Sequence, residues 1–113
     1  MRSSVGLRTF YKAGGQIWAV PDVILPNSLT NIEAESFLGA AFTCVKLPET
    51  CEKIGQLAFA DCPNLAYIYI PEVMTNIDRF AFVDVHGLTI LGKAGSVAES
   101  YANARGFSFV PVA

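Results

Sequence analysis

One short pattern occurs three times between Val23 and Val85, and it constrains the fold more than any other feature of the chain. Each copy places a proline after a short apolar run, then an isoleucine, then a phenylalanine. The columns are Pro26, Pro48 and Pro71; Ile32, Ile54 and Ile77; and Phe37, Phe59 and Phe82, at offsets of 22 and then 23 residues. A repeat of this length is typical of units that cannot bury an apolar face alone and therefore stack on their neighbours.

The middle copy indicates how one repeat is built. Val45 and Leu47 are separated by one residue, which predicts a strand that points both side chains inward. Cys44 and Lys46 occupy the alternate positions and are predicted to point outward. Pro48 then ends the strand, because proline has no N–H to donate to a neighbouring strand. We expect the strands of successive repeats to run parallel, about 4.8 Å apart, so that phenylalanine stacks on phenylalanine and isoleucine on isoleucine.

The middle copy also carries a family resemblance. Its pattern Leu-Pro-x-x-x-x-x-Ile-Gly-x-x-Ala-Phe-x-x-Cys, from Leu47 to Cys62, resembles the BspA-type leucine-rich repeat of bacterial surface proteins. The segment from Ile90 to Phe107 is similar to the element that closes such arrays. The resemblance implies a repeat solenoid, namely a short leucine-rich-repeat stack with parallel strands and a C-terminal helix-plus-strand cap. It also implies a recognition or adhesion module with no catalytic residues.

We divide the chain into three parts. Residues 1–22 are interpreted as an N-terminal remnant repeat, a cap or a linker, with Trp18 covering the open end of the stack. Residues 23–91 hold three leucine-rich repeats plus a fourth strand at Leu88–Leu91. Residues 92–113 form the C-terminal cap.

The cap sequence contains the start and stop signals of a helix. Ser96 is predicted to be the N-cap, with Glu99 completing a capping box. The helix is expected to run from Val97 to Arg105 and to stop at Gly106. Its predicted apolar stripe consists of Val97, Ala98, Tyr101 and Ala102. Phe107–Val110 alternates like a final strand.

Composition favours one compact domain and excludes several function classes. The chain has 113 residues, of which 52% are hydrophobic, and a net charge of −2 with only eight scattered basic residues. Scattered basic residues do not make a nucleic-acid surface. No apolar run approaches the roughly 20 residues needed to span a bilayer, so membrane insertion is not expected. Residues 1–22 lack a secretory signal pattern, and we expect the chain to be the C-terminal part of a longer extracellular or cell-surface protein.

The cysteines and the single histidine are the residues most often used for chemistry. Cys51 and Cys62 lie in apolar columns of the repeat and are predicted to be buried free thiols, although a disulfide or a metal site is an alternative. Cys44 lies in the outward column and is expected to be partly exposed. His86 is interpreted as a solvated loop residue. Without a nucleophile, phosphate-loop or zinc-spacing motif, we predict no catalytic residue, no metal site and no cofactor.

The outward face of the main strands is the predicted ligand surface. Its candidate residues are Ile24, Lys46, Tyr67 and Tyr69. Tyrosine is enriched at protein interfaces, so we predict a protein or a surface glycoconjugate as the partner. An ordinary solvent-exposed sheet with no ligand is the alternative for these side chains. The alternative function is a structural capping or oligomerisation module that associates with itself through the N-terminal end near Trp18.

Overall fold

The computed structural model describes residues 12–13, 16–17 and 23–112. The elements in chain order are β1 Lys12–Ala13, β2 Gln16–Ile17, β3 Val23–Ile24, β4 Asn31–Ile32, β5 Cys44–Lys46, β6 Lys53–Ile54, β7 Tyr67–Tyr69, β8 Asn76–Ile77, β9 Thr89–Gly92, α1 Val97–Arg105 and β10 Ser108–Pro111. Strands β1 and β2 pair antiparallel. The proposed role of Trp18 and most of the segment before β3 lie outside the described residues.

Two parallel sheets run along the stack of repeats. The larger sheet has five strands in the order β10-β9-β7-β5-β3, and the smaller has three in the order β4-β6-β8. Val45 pairs with Ile68, which pairs with Ile90. These pairings join residues 22 or 23 positions apart, as the repeat predicts, and the parallel stacking is confirmed. The isoleucine column is also confirmed, since Ile54 of β6 pairs with Ile32 and Ile77 on its two sides.

The turns that follow the smaller sheet add further hydrogen bonds between repeats. The Phe37 N–H donates to the Ala58 carbonyl, and the Phe59 N–H donates to the Ala81 carbonyl, both at 2.8 Å. One position of each turn takes a left-handed backbone conformation; it is occupied by Gly39, Asp61 and Asp84, with φ of 74°, 55° and 62°. Glycine and aspartate are among the residues that adopt this conformation most readily, which explains the residues found in this column.

The core is organised around the phenylalanine column. Phe37 and Phe59 stack with 5.3 Å between ring centroids and 14° between ring planes, and Phe59 stacks on Phe82 at the same separation. The predicted phenylalanine ladder is therefore confirmed. Tyr101 and Phe107 of the cap contact the far side of Phe82, with centroids 5.9 and 6.1 Å away. The cap thus ends the aromatic column with tilted and edge contacts rather than with another parallel ring.

Helix α1 has the predicted bounds, and its buried face is narrower than predicted. Ala98, Tyr101 and Ala102 are buried, whereas Val97 is 37% exposed. The prediction was wrong for Val97 because the buried stripe is centred on positions spaced three and four apart, and Val97 lies about 100° away from Ala98 around the helix. Gly106 ends the helix in a left-handed conformation and donates its N–H to the Ala102 carbonyl, as expected.

The N-terminus of α1 is held by contacts that differ from the predicted capping box. Ser96 is the N-cap residue, but its hydroxyl donates to the Lys93 carbonyl at 2.6 Å instead of accepting from the helix. The Glu99 carboxylate accepts from the Gly95 N–H at 2.8 Å, one residue before the N-cap. The two side chains therefore tie the helix to the turn that precedes it.

The two last strands are each displaced by one residue from their predicted bounds. β9 begins at Thr89 and β10 at Ser108. Pro111 belongs to β10, where it pairs with Gly92. Because β10 is the edge of the larger sheet, a proline without an N–H is compatible with this position.

Candidate functional site

The larger sheet carries apolar side chains on both faces. Val45, Ile68 and Ile90 belong to the main core and are no more than 1% exposed. On the opposite face, Cys44, Tyr69 and Leu91 form a second buried cluster, with Tyr67, Val110 and Val112 packed against it. We name this side the strand face, and its residues are Cys44, Lys46, Tyr67, Tyr69, Leu91, Val110 and Val112.

The structure brings three of the four predicted ligand residues together on the strand face. Lys46 pairs with Tyr69 across β5 and β7, and Tyr67 lies two residues before Tyr69. Ile24 pairs with Lys46 through the backbone of β3, but its side chain lies outside the described part of the chain. Lys46, Tyr67 and Tyr69 therefore share one face, while their role in binding remains a prediction.

The prediction that side chains on the strand face are exposed to solvent is wrong for two residues. Tyr69 is 8% exposed and Cys44 is 3% exposed, whereas Lys46 and Tyr67 are half-buried. Parallel register explains the difference, because it aligns Tyr69 with Leu91 on the next strand. Alternation along a strand reveals which side a residue faces, but not whether its neighbours cover it.

Tyr69 is held by charged groups at both its ring and its hydroxyl. The Lys46 Nζ lies 5.5 Å from the centroid of the ring, within the range of a cation–π interaction. The hydroxyl donates to the Glu49 carboxylate, with Oε1 and Oε2 at 3.2 and 3.0 Å. A hydrogen bond to a charged acceptor is stronger than one between neutral groups. These two contacts therefore fix the orientation of the Tyr69 ring.

A small open pocket lies beside Tyr69. It has a volume of about 200 Å³ and is lined by Glu49, Tyr69, Glu72, Lys93 and Val112. The Lys93 Nζ lies 3.4 Å from Glu72 Oε1, and the two side chains are 62% and 64% exposed. An ion pair this exposed contributes at most about 1 kcal/mol to stability, so both groups remain available to charges on another molecule.

Sequence reasoning missed the carboxylates and Lys93 in this pocket. One signal was present, because Glu49 and Glu72 each directly follow the recurring proline of their repeat, at Pro48 and Pro71. The repeat therefore places one carboxylate next to another at the same edge of the sheet. The approach of Lys93 depends on the turn between β9 and α1, which the repeat pattern does not define.

The remaining candidate residues for chemistry lie apart from this pocket. The predicted burial of Cys51 and Cys62 is confirmed, and burial raises the pKa of both thiols. His86 is exposed in the turn before β9. Among the described residues, no group of three or more histidine, cysteine or acidic side chains is placed to hold a metal ion. In the same part of the chain, no helix has the length and apolar content to cross a membrane.

Comparison with known proteins adds a family assignment. The BspA type leucine rich repeat region matches residues 4–104, in six copies. The crystal structure of a leucine rich cell surface protein from Faecalibacterium prausnitzii A2-165 is similar over 79% of this chain, at 23% identity and a TM-score of 0.48. This chain covers 31% of that protein, or about a third of its length. None of the curated proteins matches the chain significantly. Because the family match covers residues 4–104 and agrees with the repeat columns and the paired strands, the chain belongs to the family of BspA-type leucine-rich-repeat proteins.

Proposed function

We propose that this chain is a non-catalytic recognition module that binds a protein partner through the strand face. In this proposal the repeats form a short solenoid within a longer bacterial surface or secreted protein. Proteins with leucine-rich repeats generally bind other proteins, which supports the class of function. The observation that carries the choice of surface is the fixed Tyr69 ring, with Lys46 on one side and Glu49 on its hydroxyl.

Tyr69 is buried, so it supports recognition by holding the charged groups around it, which then lose little conformational freedom when a partner binds them. Ordering a mobile side chain at an interface costs about 0.5–1.5 kcal/mol, and Lys46 and Glu49 are already held against the Tyr69 ring and hydroxyl. Half-buried Tyr67 lies next to it in the same cluster. Tyrosine side chains that combine an apolar ring with a polar end are common at the centre of binding surfaces.

The charges around Tyr69 favour a protein over a neutral glycan. Lys46 and Lys93 are positive, and Glu49 and Glu72 are negative, all within or beside one pocket. Charges of both signs at an interface select partners whose own charges are complementary. A neutral glycan can hydrogen-bond these side chains through its hydroxyl groups, but it carries no charges to complement both signs.

The proposal is tested by binding of the fluorescent chain to intact bacterial and epithelial cells, before and after treatment with protease or with glycosidases. We expect saturable binding that protease removes and glycosidases leave intact. The Lys46→Glu variant should bind at least tenfold more weakly. Lys53→Glu is the matched control, because Lys53 is an exposed lysine of β6 in the smaller sheet, and it should bind like the original chain.

The same experiment distinguishes the alternatives. Loss of binding after glycosidases, but not after protease, would assign the surface to a glycoconjugate. An absence of cell binding together with a dimer or larger species in light scattering would favour a structural oligomerisation module. Equal unfolding midpoints for the two lysine variants are required before any difference in binding is interpreted.

A further inference from the structure

A second concave surface lies between the last repeat and the cap, away from the strand face. It is an open groove of about 360 Å³, and we name it the cap groove, with Arg79, Phe80, Phe82, Tyr101, Arg105 and Phe107 as its principal residues. The cap groove and the strand face share no residue. Small-molecule and side-chain sites usually begin at a volume of about 300 Å³, so this groove has room for one bulky side chain and its flanking backbone.

The inner wall of the cap groove is aromatic. Phe82, Tyr101 and Phe107 contact one another, with ring centroids 5.9 to 6.3 Å apart. Phe82 and Tyr101 are at most 9% exposed, and they form a surface that belongs to the main core. Next to this wall, Phe80 is 44% exposed. An apolar side chain that entered the groove would therefore contact aromatic rings on more than one side.

The rim of the cap groove carries two arginines. Arg105 Nη1 donates to the Arg79 carbonyl at 3.5 Å, which holds the end of the helix against the turn that contains Arg79. The Arg79 guanidinium lies 5.7 Å from the centroid of the Phe80 ring. Both arginines are exposed, and both line the same groove as the aromatic wall.

Neither guanidinium is neutralised by a carboxylate in the described part of the chain. The ion pair found there joins Lys93 to Glu72, neither of which lines the cap groove. Asp84 also lines the groove. The lining therefore carries two positive side chains and one negative side chain, a net charge of +1, whereas the chain as a whole carries a net charge of −2.

We propose that the cap groove binds an acidic segment of a partner protein, with a bulky apolar side chain of that segment against the aromatic wall and its flanking carboxylates on Arg79 and Arg105. The guanidinium group is planar and forms two parallel hydrogen bonds with a carboxylate, which a lysine cannot do. The aromatic wall selects the apolar side chain, and the arginines select the charges beside it. The cap groove would thus be a second recognition surface that operates independently of the strand face.

The test uses three synthetic peptides titrated into the isotope-labelled chain and followed by NMR. The probe is acetyl-Glu-Glu-Phe-Glu-Glu-amide. One comparison peptide has glutamine in place of every glutamate, and the other has serine in place of the phenylalanine. We expect the probe to shift backbone signals of the last repeat turn and of α1, and to bind at least tenfold more tightly than either comparison peptide. Its affinity should fall as salt is raised, because screening weakens exposed charge pairs.

Variants assign the binding to individual side chains. Arg79→Gln and Arg105→Gln should each weaken binding of the probe at least tenfold, and Arg105→Lys should recover only part of that loss. Lys53→Gln, an exposed lysine on β6, is the matched control and should leave the affinity unchanged. Phe80→Ser changes a side chain that is already largely exposed, so it keeps the fold and should also weaken binding.

Several results would overturn the proposal. They are equal binding of the acidic and the glutamine peptides, signal shifts confined to the larger sheet, or unchanged affinity in the folded Arg79→Gln variant. Anionic phosphatidylserine vesicles provide the remaining comparison. If the vesicles bind the chain in an arginine-dependent manner and the probe peptide does not, the occupant is a membrane surface and the peptide proposal is wrong.

Discussion

The rings of Phe59 and Phe82 lie 5° from parallel with 5.3 Å between their centroids. The two residues are 23 positions apart, and Phe59 makes an equivalent contact with Phe37 on its other face. Phe59 consequently has no exposed surface. The ladder links each repeat to the next through one type of side chain, so the repeats are expected to unfold together rather than one at a time.

Removal of the Phe59 ring should therefore destabilise the chain strongly. We expect Phe59→Ala to lower the free energy of unfolding by about 3–5 kcal/mol, as is usual when a large buried aromatic is truncated. Urea unfolding followed by circular dichroism measures this change. Phe80→Ala is the control, because Phe80 is 44% exposed, and it should cost less than about 1 kcal/mol. Equal losses for the two variants would contradict a stability based on the ladder.

Gly55 is a position where a methyl group cannot be accommodated without movement. A Cβ there would lie 2.7 Å from the Ala34 backbone nitrogen and 3.0 Å from the Ile32 carbonyl oxygen. Because backbone atoms cannot move away as a flexible side chain does, Gly55→Ala should cost about 3 kcal/mol, at the upper end of the usual range for overpacking. Differential scanning calorimetry of the variant measures the loss.

Gly87→Ala is the matched control for this clash. Gly87 has a φ of +73°, but a Cβ there would meet nothing within 4 Å. Its substitution should therefore cost only the backbone strain of a left-handed alanine, roughly 1–2 kcal/mol. If Gly87→Ala proved the more damaging of the two, close approach between repeats would not be the reason for glycine at position 55.

The strand pairings of this fold could be predicted from the sequence because the repeat columns define them. Proline, isoleucine and phenylalanine recur in register, and the observed pairings of Val45 with Ile68 and of Ile54 with Ile77 follow from that register. The helix bounds follow from local signals around Ser96 and Gly106. Both kinds of information are carried by residue type and spacing, so they are visible in one sequence.

The candidate sites were less predictable because they depend on contacts between separate parts of the fold. The burial of Tyr69 arises from the alignment of neighbouring strands, and its bond to Glu49 joins residues 20 positions apart through a flexible carboxylate. The cap groove lies where α1 meets the last repeat turn, with Arg105 hydrogen-bonded to the Arg79 carbonyl. The repeat pattern of the sequence does not predict how helix α1 packs against the last repeat.

Two carboxyl groups in successive turns should make stability depend on pH. A hydrogen bond with the Asp84 carboxyl group is the main cause that raises the pKa of Asp61, with smaller contributions from desolvation and from charge repulsion by Asp84. Asp61 therefore binds its proton more tightly in the native chain than in the unfolded chain. The contribution of this pair to the free energy of unfolding is largest at low pH and falls as pH rises through the raised pKa.

Asp61→Asn removes this dependence, because asparagine does not ionise and tolerates the left-handed backbone of the turn. We expect the variant to gain stability relative to the original chain as pH increases from about 3 to about 7. Chemical unfolding at a series of pH values measures the difference. Asp84→Asn should act in the same direction, and the double variant should gain little more, since either change alone removes the repulsion. A pH-independent difference would contradict the coupling.

The cysteines should be protected from thiol reagents in the native chain. Cys44, Cys51 and Cys62 are all buried, and burial raises the pKa of the Cys51 and Cys62 thiols, which reduces the reactive thiolate. Reaction therefore requires local opening, and we expect dithionitrobenzoate to react on the order of a hundredfold more slowly with the native chain than with the unfolded chain. Absorbance at neutral to mildly basic pH follows the reaction.

A Ser28→Cys variant supplies the positive control for this measurement, since Ser28 is exposed in the turn after β3. Its added thiol should react at once, while the native three remain protected. Rapid reaction of a native cysteine in the folded chain would show that the repeats open more readily than their packing implies.

The contact between Phe82 and the cap has a consequence for how proteins of this kind change in length. Phe82 contacts Tyr101 and Phe107 of the cap, whereas Phe37 and Phe59 each contact the phenylalanine of the following repeat. A cap that contacts this ring would fit behind any unit that ends in such a ring. Gene duplication or loss could then add or remove whole repeats in front of the same C-terminal cap. The length of the stack would follow from the number of repeats, with one strand spacing added for each.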